Sequence, residues 1–183
     1  MKQSVASGIR WFWREWGKPL LMVAVIIAPF RASIADWYDV PTGSMRPTIL
    51  DGDRVFVNKL AYDLKVPFTS WQIAKWRDPA RGDVVVLKSP ADEIRLVKRV
   101  IGLPGDIIEM DRNQLKVNGQ IISYEPLDSK TVPQVAADER SHNRFFTEQL
   151  PGKPHSIMTI PSVRAYRSFG PIKVPEGQYF VMG

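Results

Sequence analysis

Twelve consecutive uncharged residues, from Pro19 to Phe30, stand between Lys18 and Arg31, and no other stretch of this chain restricts its fold as much. As a helix they extend about 18 Å at 1.5 Å per residue, short of a hydrocarbon core. Aromatic residues extend the reach: Trp11, Trp13 and Trp16 precede the run, and Trp37 and Tyr38 follow it. A continuous helix from Trp16 to Trp37 would cover about 31 Å, the separation of two interfacial aromatic belts. Arg31 would then lie roughly 9 Å inside the far belt, within reach of the interface by snorkelling. Residues 1–18 carry Lys2, Arg10, Arg14 and Lys18 against Glu15 alone, whereas Asp36, Asp39, Asp51 and Asp53 follow the run. The positive-inside rule therefore expects a cytoplasmic segment at 1–18, a transmembrane anchor at 19–36 and an exported domain at 37–183. The alternative is a cleaved signal peptide, with Ser33-Ile34-Ala35 as its cleavage site; Arg31 and the aromatic belts count against it.

Beyond the anchor the chain reads as strands. Residues 54–58, 83–88, 94–101 and 106–110 are short runs rich in valine and isoleucine. Three of these regions open on a glycine-aspartate pair, Gly52-Asp53, Gly82-Asp83 and Gly105-Asp106, which is turn chemistry recurring at strand entries. Asn118-Gly119, between Leu115-Lys116-Val117 and Gln120-Ile121-Ile122, marks a hairpin with a type I′ turn. Residues 128–170 are polar and broken by Pro133, Pro151, Pro154 and Pro161, and read as an irregular insertion or cap. The expected fold is mainly β with one N-terminal helix.

Composition removes several functions. There is no cysteine, so disulfides, thiolate-bound zinc and a thiol nucleophile are excluded together. The formal charge is +6, but half of it sits in residues 1–18 and no basic stripe with interleaved aromatics follows, which argues against nucleic acid. The two histidines, His142 and His155, both lie in the insertion without an evident carboxylate framework. No metal or cofactor is expected. A lysine base then becomes the question.

Lysine accepts a proton only when neutral, and desolvation lowers its ordinary value of about 10.4. Alternation along residues 94–101 places Lys98 with Ile94, Leu96 and Val100, and turns Arg95 and Arg99 the other way. Lys59 and Lys88 share parity with valines as well, so alternation does not select among the three. A nucleophile candidate stands in Val40-Pro41-Thr42-Gly43-Ser44-Met45-Arg46-Pro47-Thr48, where two prolines stiffen the segment that presents Ser44. Rigidity alone does not distinguish it from an ordinary loop serine.

In order, Pro41 to Thr48, Gly52-Asp53, Arg81-Gly82-Asp83-Val84-Val85 and Lys98-Arg99-Val100-Ile101-Gly102-Leu103-Pro104-Gly105-Asp106 resemble the motifs of bacterial type I signal peptidases. The resemblance implies a membrane-bound Ser-Lys endopeptidase that removes signal peptides from exported preproteins after Ala-x-Ala-like sites. It implies that Ser44 is the nucleophile and Lys98 its proton acceptor. The Ser44 N–H and the Thr42 hydroxyl would form the oxyanion hole, and Val40 and Val97 would line pockets for small substrate side chains. The partners implied are signal peptides and the lipid bilayer, and the implied location is the bacterial cytoplasmic membrane. A further block of the family, Gly-Asp-Asn-Arg-x-x-Ser, would begin at Gly183. The chain is therefore expected to be a fragment that lacks the serine orienting Lys98. Two rival readings are a self-cleaving Ser-Lys repressor, for which residues 1–40 leave no DNA-binding domain, and an anchored paralogue that binds signal peptides without cutting them.

Overall fold

The computed structural model describes residues 12–66, 69, 71–163 and 166–183. A π turn at Trp13–Gly17 leads into helix α1 (Lys18–Ser33), and no helix among the described residues is long and apolar enough to cross a membrane. The continuous helix expected from Trp16 to Trp37 does not form. It ends at Ser33, because Ala35–Asp39 is strand β1, paired with β2 (Arg54–Asn58) and extended by Lys59 N–H donating to the Ile34 carbonyl at 2.9 Å. Trp37 stands in that ribbon, its ring 5.1 Å from Phe56 between centroids. The side chain of Arg31, expected to snorkel, lies outside the described residues, as does Trp11.

The chain divides into two compact units. The first takes the described residues up to Tyr38 together with Phe56–Asp78. Besides the helix and most of the ribbon it contains the antiparallel hairpin of β3 (Asp63–Lys65) and β4 (Gln72–Lys75). All six tryptophans of the sequence fall within its bounds, and every described one is more than half exposed.

The second unit takes Asp39–Val55 and Pro79–Gly183 and holds the core. Its strands are β5 (Val84–Lys88), β6 (Arg95–Gly102), β7 (Ile107–Asp111), β8 (Gln114–Val117), β9 (Gln120–Ile121), β10 (Tyr124–Pro126), β11 (Arg144–Glu148), β12 (His155–Thr159), β13 (Phe169–Lys173) and β14 (Phe180–Met182). They form three sheets, ordered β14-β6-β5, β13-β7-β8-β9 and β10-β11-β12. The main cluster is Ile101, Ile108, Leu115, Val117, Ile122, Leu150 and Val174, and a smaller one joins Val132, Val135 and Phe145 with Leu50, Leu127 and Met158. The fold is mainly β, as the valine and isoleucine runs require.

The glycine-aspartate pairs share one geometry. Gly52, Gly82 and Gly105 take φ of +84°, +85° and +87°, a region costly for any residue with a Cβ. In each turn the aspartate carboxylate accepts from the N–H three residues back: Leu50 to Asp53 at 2.8 Å, Ala80 to Asp83 at 3.0 Å and Leu103 to Asp106 at 2.6 Å. Asn118 and Gly119, at φ +53° and +77°, make the type I′ turn between β8 and β9. The stretch 128–170 is more regular than its prolines imply. It carries a 3₁₀ turn (Ser129–Thr131), the short helix α2 (Ala137–His142) and both β11 and β12.

Candidate active site

Two backbone bonds close the loop from Val40 to Asp53 at its base: Val40 N–H to the Asp53 carbonyl and Gly52 N–H to the Val40 carbonyl, both 2.8 Å. Beyond the base, Thr42 is extended and the chain tightens into a 3₁₀ turn at Gly43–Met45. Met45 and Pro47 are buried, so the turn is pinned by the residues after Ser44 while Ser44 itself stays exposed. Val40 is buried at the base of the loop, and Thr42 is exposed two residues before Ser44.

Lys98 sits in the middle of β6, opposite Val85 of β5, and Val97 beside it pairs with Val86. On the other side of β6, β14 pairs Val181 with Val100 and Met182 with Arg99. The Lys98 Nζ lies 2.7 Å from Ser44 Oγ, a hydrogen bond across 54 residues of sequence. The lysine is half-buried, and burial pushes its amine below the ordinary lysine value. No carboxylate among the described residues forms an ion pair with it, so nothing there offsets the desolvation of the ammonium form. Gly183 lies near the pair: a Cβ there would stand 2.8 Å from Lys98 Cδ, 3.0 Å from its Nζ and 3.0 Å from Met45 Sδ.

The other candidates lie elsewhere. Lys59 Nζ pairs with Asp36 at 3.3 Å, in the first unit, and Lys88 is exposed at the end of β5. His142 Nδ1 contacts the Asp138 carbonyl at 2.7 Å within α2. His155 Nε2 meets Glu148 Oε2 at 3.1 Å, and Tyr124 donates to Glu148 Oε1 at 2.8 Å. Neither histidine touches Ser44 or Lys98.

Sequence reading passed over a second charged layer behind β6. Arg99 is buried and donates to the Gly82 carbonyl at 2.8 Å; burial pushes its guanidinium below the ordinary value, opposed in part by the charge of Glu148, itself buried. Alternation does turn Arg99 away from Lys98, but toward protein. A charged residue among valines reads as solvent-facing until its partner, 49 positions on, is known. Burial and the neighbouring Glu148 also push the Tyr124 phenol upward.

A serine hydroxyl bonded to a half-buried amine, with no carboxylate pairing that amine among the described residues, can give up its proton to a neutral lysine. The family profile described as signal peptidase, peptidase S26, matches residues 13–183. The chain is 32% identical over 171 residues to a signal peptidase I of Pseudomonas fluorescens, covering 92% of this chain and 58% of that protein. It is 33% identical over 169 residues to a signal peptidase I of Bacillus licheniformis, covering 92% and 72%. A crystal structure of a signal peptidase I from Enterococcus faecalis aligns at 28% identity over 58% of this chain and 77% of that one, with a TM-score of 0.31. This chain belongs to the signal peptidase, peptidase S26, family. It spans 58% of the length of the Pseudomonas relatives it matches.

Proposed function

We propose that the chain is a serine endopeptidase of the signal peptidase I type. The observation that carries this reading is the 2.7 Å contact between Ser44 Oγ and Lys98 Nζ. Neutral Lys98 takes the proton of Ser44, and Oγ attacks the scissile carbonyl. The Ser44 N–H and the Thr42 hydroxyl hold the oxyanion, each such donor being worth about 3 kcal/mol in the transition state. As the tetrahedral intermediate collapses, the ammonium of Lys98 returns the proton to the leaving amine. Water then attacks the acyl-enzyme, again with Lys98 as base. The substrates are signal peptides of exported preproteins, cut after Ala-x-Ala-like sites whose small side chains face Val40 and Val97.

The same reading makes α1 a membrane anchor with a cytoplasmic N-terminus. Leu20, Leu21, Met22, Val23, Val25, Ile26 and Ile27 are each at least half exposed, which is costly in water and favourable in lipid. The test is cleavage of a preprotein by purified protein. Ser44→Ala, Lys98→Ala and Lys98→Arg should each abolish cleavage with the fold intact, since a guanidinium does not give up its proton. Turnover by Lys98→Ala would remove the lysine from the mechanism.

A further inference from the structure

Residues 128–159 contribute nothing to the Ser44–Lys98 pair, yet they grip the loop that carries Ser44 at four successive points. The Arg46 guanidinium binds Glu139 of α2 through Nη1, while its Nε donates to Asp51 at 2.8 Å and its Nη2 binds the same carboxylate. Gln134 Nε2 donates to the Pro47 carbonyl at 3.1 Å. Thr48 Oγ1 donates to the Ser156 carbonyl of β12 at 3.4 Å. Leu50 packs into the cluster of Val132, Val135 and Phe145.

The backbone bonds at Val40 close the base of the loop, but the turn that carries Ser44 has few bonds of its own. The 3₁₀ turn is three residues long, and two backbone bonds of 3.1 Å, Arg46 N–H to Gly43 and Ile49 N–H to Met45, define its course. Such a turn is marginal alone. Arg46 also folds back across the turn, so that a Cβ on Gly43 would lie 2.7 Å from its Nε. The side chain is therefore clamped between the backbone just before Ser44 and a carboxylate on α2. The Arg46 side chain is half-buried, whereas Glu139 stands closer to solvent.

We infer that residues 128–159 are a brace for the nucleophile loop, and that Arg46 and Glu139 are positioning residues which hold Ser44 Oγ in line with Lys98. The inference rests on the reading of Ser44 as nucleophile. Asp51 belongs to the loop itself, so Glu139 is the residue whose loss frees Arg46 from the brace.

The experiment compares Glu139→Ala, Glu139→Asp and Gly43→Ala with the unsubstituted chain by amide hydrogen exchange and by preprotein cleavage. Exchange at the 46 and 49 amides should quicken about fivefold in Glu139→Ala, while the amides of β6 keep their rates. In the cleavage assay kcat should fall by a similar factor at unchanged KM, because alignment rather than binding is lost. Glu139→Asp should recover part of both effects. Gly43→Ala, which expels Arg46 with Glu139 intact, should reproduce the exchange signature. Unchanged exchange at 46 and 49 in Glu139→Ala overturns the brace, and uniform loss of protection across β6 overturns it in favour of a general stability role. Ser44→Ala, run alongside, separates the two readings: full turnover there sinks the nucleophile assignment, and the exchange rates still decide the brace.

Discussion

An ammonium group half-removed from water, with no carboxylate beside it, loses its proton more readily than one in solution. Lys98 is in that position, so its pKa lies below the ordinary lysine value. Two consequences follow for pH. The rate of cleavage should rise with pH along an acid limb set by Lys98, centred below about 10.4, and the limb should survive His142→Ala and His155→Ala. Stability should move the same way: the unfolded chain binds more protons between the lowered folded pKa and the unfolded one, so folding gains stability as pH rises through that window. Denaturant midpoints of the parent and Lys98→Met across the window would show it; parallel curves would contradict it. At this scale sequence went only part of the way. The stiffened segment around Ser44 and the apolar face around Lys98 are both local patterns, but Lys59 and Lys88 fit the second pattern equally well. What separates them is tertiary: Asp36 takes Lys59, Lys88 is exposed, and Lys98 reaches Ser44.

The strands were legible because each is a short apolar run bounded by turn residues, and the turns themselves are a repeated element. Gly105-Asp106 carries a network of bonds to its carboxylate. Burial alone would raise the Asp106 carboxyl, but bonds from the Leu103 N–H and Asn118, with the Arg81 guanidinium at 2.9 Å, hold it below the ordinary range. A carboxyl lowered in the folded state contributes stability above its unfolded value of about 3.9 and loses it as pH falls toward the folded one. Asp106→Ala should therefore cost about 3 kcal/mol at neutral pH, because it strands a half-buried guanidinium, and the deficit should shrink on acidification. A deficit independent of pH would mean that packing, not charge, is what the turn loses. The stretch 128–170 was hardest to read. Its helix has six residues, and its two strands are pinned by a cross-strand Glu148–His155 pair that no local periodicity announces.

At the scale of the whole chain, the exposed apolar residues of α1 and the exposed tryptophans belong to one unit, and the Ser44–Lys98 pair to the other. The purified chain should float with lipid vesicles and resist alkaline extraction. On the anchor reading proposed above, replacing Val25 and Ile26 together by aspartate should release it, because a carboxylate is far costlier in lipid than in water. Retention of the doubly substituted chain would place the membrane contact elsewhere. The distribution of tryptophan has a spectroscopic consequence as well. Intrinsic emission excited at the indole band arises entirely within the bounds of the first unit, while Asp39–Val55 and Pro79–Gly183 contain none of the fluorophore. A melt followed by indole emission is then a record of the ribbon, the hairpin and the helix. Loss of the Ser44–Lys98 unit has to be followed by another signal, such as far-ultraviolet circular dichroism or a tryptophan introduced on β5.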